Sequence, residues 1–161
     1  MLKPHRALLV ITLLLAACTY EAPLTEKPTG KIDERLLGDW LENDAKPDEK
    51  GKHLIVVKWS GSEYLVQYGG PFRAFHSDFG GIHFISVQSI VSPKDADREF
   101  LFVTYELQND GKKLVLRAVS DKIVSSKLKT TVEIQKAVSE NLKNPQLLGE
   151  QGVYTKVNDP K

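Results

Sequence analysis

The sequence predicts a mainly β fold: an antiparallel meander forming a small barrel or half-barrel, with one C-terminal helix before a last short strand. Three observations lead there. Apolar and polar residues alternate with period two between Leu36 and Val119, as in strands that bury one face. Turn residues interrupt the alternation about every 8–12 positions, the spacing of sandwiches and barrels. After Ser126 the apolar residues recur at helical spacing instead. Composition agrees. A chain of 161 residues, 41% hydrophobic and 27% charged, suits one cored domain, expected at residues 32–157, and excludes a disordered, collagenous or multi-span protein. The formal charge of +1 supplies no field that would favour nucleic acid.

The elements follow in chain order. Leu36–Leu41 is a first strand and His53–Trp59 a second, which Ser60-Gly61-Ser62 turns into Glu63–Tyr68. Gly69-Gly70-Pro71 precedes Phe72–Phe79, and Gly80-Gly81 turns that strand into Ile82–Ile90. Pro93–Asp97 reads as a loop. Glu99–Gln108 and Lys113–Val119 flank Asn109-Asp110-Gly111, residues that tolerate positive φ in a hairpin turn. In that hairpin Leu101, Val103, Tyr105 and Leu107 share one face with Leu114, Leu116 and Ala118. Thr104, Glu106, Gln108, Lys113 and Arg117 occupy the other. Leu128, Val132, Ile134, Val138 and Leu142 then fall within an arc of about 160°, the stripe of a surface helix. Thr130 with Glu133 makes a capping box, or Ser125 or Ser126 caps a longer helix, and Asn144-Pro145 stops either one. Gly152–Val157 is the last strand, expected to pair with an open edge and so close or shield the sheet.

Ahead of the domain stands a targeting segment. Lys3 and Arg6 precede Ala7–Ala17, apolar apart from Thr12 and shorter than the roughly 20 residues of a spanning helix, which fits a secretory signal. The run ends Leu15-Ala16-Ala17-Cys18, small residues before the single cysteine, and this resembles the lipobox of bacterial lipoproteins. The resemblance implies that residues 1–17 are a lipoprotein signal peptide. It also implies that Cys18 becomes the mature N-terminus, carrying a thioether diacylglycerol and an acyl group on its amine, chains of the palmitate kind. Two or more such chains anchor stably to a membrane. Thr19 stands where an Asp would retain a lipoprotein at the inner membrane. That implies an outer-membrane lipoprotein facing the periplasm if the source has two membranes, and otherwise the outer face of the cytoplasmic membrane. Thr19–Lys31, with two prolines, a glycine and few apolar residues, is expected to be a flexible tether, so that residues 18–31 link anchor to domain. Asn158–Lys161 is expected as a frayed tail.

Leu37-Gly38-Asp39-Trp40, at the front of an all-β chain, resembles the Gly-x-Trp of lipocalins and related calycins. The resemblance implies an up-and-down barrel, the Trp at its closed end, and a helix beside the barrel before the final strand. Two features depart from the family. The Thr-Asp-Tyr turn motif is absent, and Lys156 stands where an arginine usually stacks on the Trp, with Arg117 as a substitute. An unrelated sandwich or half-barrel with Trp40 in its core stays open. An eight-stranded barrel is just wide enough to be filled by side chains or to hold one small ligand. The expected inward set, Val57, Trp59, Phe75, Phe79, Phe84, Val103 and Tyr105, is bulky enough for either outcome. Trp40, Trp59, Phe75, Phe84 and Tyr105 are the candidate ligand-binding residues.

His76, Asp78 and His83 have metal-ligand character. With Phe79 opposite Ile82, His83 faces Asp78 and His76 shares their side. Phe75, Phe79, Ile82 and Phe84 then occupy the other side, expected to be the core, so a solvated His–Asp patch is the expected reading and no metal or cofactor is expected. No serine sits in a Gly-x-Ser-x-Gly elbow, no carboxylate pair has an apolar setting, and Gly69-Gly70 and Gly80-Gly81 lie between strands and not before a helix. Lys127, Lys129, Lys136 and Lys143 make the helix region basic. The expected role is a lipid-anchored, non-enzymatic module that binds a partner protein or an envelope component. A lipocalin-like carrier of a lipid or small apolar ligand is the alternative, and a metal-dependent enzyme using His76, Asp78 and His83 is the third.

Overall fold

The structure, a computed structural model, describes residues 19–47, 49, 52–90 and 99–157. The expected signal segment with Cys18, the expected Pro93–Asp97 loop and the expected tail Asn158–Lys161 lie outside the described residues.

Eight strands run up and down: β1 (Gly38–Glu42), β2 (His53–Lys58), β3 (Glu63–Gln67), β4 (Pro71–His76), β5 (Phe84–Ser89), β6 (Phe100–Gln108), β7 (Lys113–Val119) and β8 (Leu148–Lys156). Helix α1 (Thr131–Asn141) joins the last two. Each strand pairs antiparallel with its neighbour in sequence, and β8 pairs with β1 as well as β7, so the sheet closes into a barrel. The sandwich and the half-barrel are thereby excluded. β8 starts at Leu148, earlier than the expected Gly152, because Leu148 already pairs with Val119.

The turns behave as their residues require. Gly80 and Gly81 take φ of 60° and 81°, and Phe79 and Ile82 exchange two backbone hydrogen bonds of 3.0 Å across them. The same register runs through the hairpin, from Phe72 opposite Ser89 to His76 opposite Ile85. Asn109, Asp110 and Gly111 all take positive φ in the β6–β7 turn. Thr130 caps α1: its hydroxyl accepts from the Glu133 amide at 3.2 Å while the Glu133 carboxylate accepts from the Thr130 amide at 3.0 Å. The longer helix capped at Ser125 or Ser126 does not form. Of the expected stripe, Ile134 and Val138 are fully buried, but Val132 is 75% exposed because it lies at the stripe's edge in the first turn.

Strand alternation builds two cores where one was expected. Trp40, Leu54, Val56, Tyr64, Ala74, Ile85, Val103, Leu114 and Tyr154 point into the barrel. Phe75, Phe84 and Phe102, on the opposite parity, point out of it and are buried beneath Tyr20, Leu24, Ile134 and Val138. The stretch Thr19–Lys31 is therefore packed structure and not a flexible tether. Tyr20 and Phe100 exchange two backbone hydrogen bonds of 2.8 Å, the Tyr20 ring stacks on Phe102 at 4.6 Å, and its hydroxyl donates to the Val124 carbonyl at 2.8 Å. Thr131 donates to the Pro23 carbonyl, Gln135 to that of Leu24, and the Thr29 amide to that of His76. The segment thus runs along the wall from the start of β6 to the end of β4. Two large apolar residues in a polar stretch, with Ile134 and Val138 of α1, cover three outward phenylalanines.

The expected inward set is corrected in the same way. Val103 and Tyr105 do face inward. Val57 and Trp59 are 44% and 54% exposed on the outer wall, while Phe75, Phe79 and Phe84 join the outer cluster. Leu54-Ile55-Val56-Val57 is apolar on both faces, and the strands around the Gly80-Gly81 turn carry aromatic side chains on the parity that turns out. Period two alone does not say which side is in.

Leu24→Ala is expected to lower stability by about 2–5 kcal/mol, the range for a buried leucine truncated to alanine. In a tether it would change stability by less than about 0.5 kcal/mol. Urea unfolding followed by circular dichroism separates the two.

Candidate functional site

One end of the barrel is floored. A 3₁₀ turn at Glu34–Leu36, capped by the Asp33 carboxylate, crosses that end, and Ile32, Leu36 and Leu37 pack onto the interior cluster. The Trp40 indole donates to the Leu36 carbonyl at 2.9 Å. Lys156 reaches over Trp40, its Nζ 4.9 Å from the ring centroid, and donates to the Arg35 carbonyl at 3.2 Å. Gly38 makes this approach possible. It has a φ of 133°, and a Cβ there would stand 2.9 Å from the Lys156 Cε. Lys156 itself takes the stacking place on the Trp; Arg117 instead donates to the Gly149 and Leu148 carbonyls at the other end.

Above the floor lies a buried polar relay. The Asp33 amide donates to the Tyr64 hydroxyl at 2.5 Å, and the same hydroxyl shares a hydrogen bond with His76 Nε2 at 2.8 Å. Tyr105 donates to the Asp33 carboxylate at 3.2 Å, and the imidazole meets both tyrosine rings edge-on at 5.7 and 5.9 Å. The Arg35 guanidinium bonded to Asp33 holds its carboxyl below the usual range. Burial pushes Tyr64 and Tyr105 up to about 12 and lowers His76, so all three are neutral at neutral pH.

His76 does not join Asp78 and His83. It is 6% exposed and turned inward, whereas His83 Nδ1 and Asp78 Oδ1 pair at 3.0 Å on the exposed hairpin. The three share a parity, but β4 ends at His76, and beyond it the hairpin has left the barrel. Among the described residues no three His, Cys, Asp or Glu side chains come close enough to hold a metal ion.

Towards the opposite end the interior is hollow. A cavity of about 340 Å³ is walled by Leu54, Val66, Phe72, Val87, Leu101 and Leu116, with Tyr154 beside them and Thr19, Tyr68, Ser89 and Glu99 at the mouth. A deeper space of about 70 Å³ shares Leu54, Val66 and Val87 and reaches Leu36, Tyr64 and Tyr105. The hollow has a plain cause: Trp59, Phe75 and Phe84, expected to fill the barrel, face outward, and mostly aliphatic side chains line it. The polar groups gather at the rim. Tyr68 meets Tyr154 edge-on at 6.3 Å and donates to Glu42 at 3.4 Å, and Glu42 pairs with Lys52 at 3.0 Å. Burial raises both tyrosines, which keeps them neutral donors.

Of the five candidate ligand-binding residues, Tyr105 lines the deeper space and Trp40 supports the floor. Trp59, Phe75 and Phe84 line neither. Leu101 and Leu116 were visible as an inward face in the β6–β7 hairpin; Leu54, Val66 and Val87 carried no signal to set them apart from their apolar neighbours. Compared with family models, with curated proteins and with solved structures, the chain finds no match.

The lowered pKa of His76 fixes a pH dependence. The unfolded imidazole protonates near 6.5 and the folded one only at lower pH, so the stability carried by neutral His76 is present above about 6.5 and lost as pH falls below it. His76→Gln keeps a hydrogen-bonding group for Tyr64 without titrating. Thermal melts between pH 7.5 and 5 are expected to drop more steeply for the wild type than for this variant; parallel curves would contradict the assignment.

Proposed function

We propose that this protein is a lipid-anchored binding module of a bacterial envelope, and that its barrel holds a small apolar molecule in the manner of lipocalin-like carriers. The observation that carries this reading is the apolar cavity of about 340 Å³, open at one end and floored at the other. It lies in the range of small-molecule sites, which are apolar with a few placed polar groups. Gly38-x-Trp40, with a cation on the Trp, supports kinship with lipocalins. The lipobox supports an anchor at Cys18 and, with Thr19 after it, an outer-membrane lipoprotein facing the periplasm where two membranes exist.

The cavity chemistry favours long chains over small solutes. Burial contributes about 0.8 kcal/mol per methylene, so about ten methylenes are needed to reach the ~8 kcal/mol of a micromolar complex before ordering costs. A polar head would find Tyr68 and Ser89 at the mouth. Binding without turnover fits the relay beneath, where Tyr64 already occupies His76 Nε2. A second reading, docking of a partner protein, is favoured by Ile55 and Val57 on the outer face of β2 and Trp59 just past its end, which leave an apolar stripe exposed.

The mature protein is expected to enhance the fluorescence of N-phenyl-1-naphthylamine and to carry a lipid-sized adduct in native mass spectrometry. Val87→Trp, which fills the cavity, should weaken the probe at least about tenfold, or 1.4 kcal/mol, while the fold is retained by circular dichroism. Absence of both the enhancement and the adduct would reject the reading. Separately, Cys18→Ala is expected to abolish metabolic palmitate labelling, and a wild type left unlabelled would remove the anchor.

A further inference from the structure

The position of Thr19 ties the two halves of that reading together. Thr19 lines the mouth of the cavity, and it is the first residue after the proposed anchor in the sequence, one peptide unit along the chain. The chain then offers no slack. Tyr20 is fixed to Phe100 by two backbone hydrogen bonds, its ring and Leu24 are fully buried, and Lys129 pairs with Glu21 beside them. A flexible stretch as long as residues 19–31 would let the domain float about 20 Å from its anchor. Packing of the segment along the wall removes that freedom and leaves Thr19, the residue next to the proposed anchor, on the rim. Ile90, 40% exposed, lies just past the end of β5, at this same end of the barrel.

We propose that the open end of the barrel is held against the bilayer by Cys18, so that the cavity opens into the lipid leaflet and takes up an acyl chain of a membrane phospholipid without that chain crossing water. This rests on the lipid-anchored carrier reading above. The floored end, with Lys58 and Trp59 beside it, then faces away from the membrane.

The test uses the full chain, expressed with its lipid and reconstituted in vesicles of phosphatidylethanolamine and phosphatidylglycerol. The vesicles carry a trace of phosphatidylcholine bearing a diazirine at the end of one acyl chain. Irradiation is expected to attach phospholipid to peptides of β5 and β7, around Val87 and Leu116, and Val87→Trp should reduce that yield at least tenfold. A nitrobenzoxadiazole label placed through Ser89→Cys should gain fluorescence on reconstitution, and one placed through Lys58→Cys should not. Equal responses at both ends, or a response at the Lys58 end alone, overturn the orientation. Metabolic labelling with a diazirine fatty acid separates the sources: cavity adducts formed by the acyl chains on Cys18 itself overturn the choice of occupant. Binding of N-phenyl-1-naphthylamine by the same protein without vesicle cross-links overturns this inference and leaves the carrier reading standing. Loss of both overturns the two together.

Discussion

On strands β4, β5 and β6 the large aromatic side chains point away from the barrel axis, and something in the chain has to cover them. Tyr20 and Leu24 from the N-terminal segment and Ile134 and Val138 from α1 do so, giving Phe75, Phe84 and Phe102 a core of their own. The hydrophobic gain is what makes the outward orientation tenable, since three exposed phenylalanines would each forgo roughly 1.5–3 kcal/mol of burial. Two consequences follow from this cover. The interior is left to smaller aliphatic residues and stays hollow above its floor, and the N-terminal segment is pinned to the wall from the mouth downwards.

The floor is a different kind of construction. Asp33 caps the 3₁₀ turn, accepts from Tyr105 and, through its amide, donates to the Tyr64 hydroxyl that also bonds His76. Every polar group that the barrel encloses there has a partner, which is what permits a histidine to sit 6% exposed among aromatic rings. The exposed pairs elsewhere, such as His83 with Asp78, contribute little by comparison because solvent screens them.

Much of this architecture was legible in the sequence, and the rest was hidden for definable reasons. The hairpin around Asn109-Asp110-Gly111 read correctly because its polar and apolar faces differ: Leu101, Val103 and Tyr105 had one possible side. The register at Gly80-Gly81 read correctly because a two-residue turn fixes its pairs. The capping box at Thr130 was local chemistry. What failed was orientation on two-faced strands. In β2, Ile55 and Val57 are as apolar as Leu54 and Val56, and only closure of the barrel separates them. His76, Asp78 and His83 share a parity, yet parity carries meaning only while the strand remains in the sheet. Thr19–Lys31 looked like a linker because its burial depends on two side chains, Tyr20 and Leu24, and on a surface built by residues far along the chain. The hollow itself was not legible, since it is a remainder left by where other residues point.

β8 forms backbone pairs with both β7 and β1. Closure on both sides leaves no row of unpaired amides and carbonyls along a strand edge, the feature by which further copies of a sheet protein stack into fibrils. Ile55 and Val57 on β2, and Trp59 just past its end, can therefore stand in solvent without templating such growth, because the backbone beneath them is already paired.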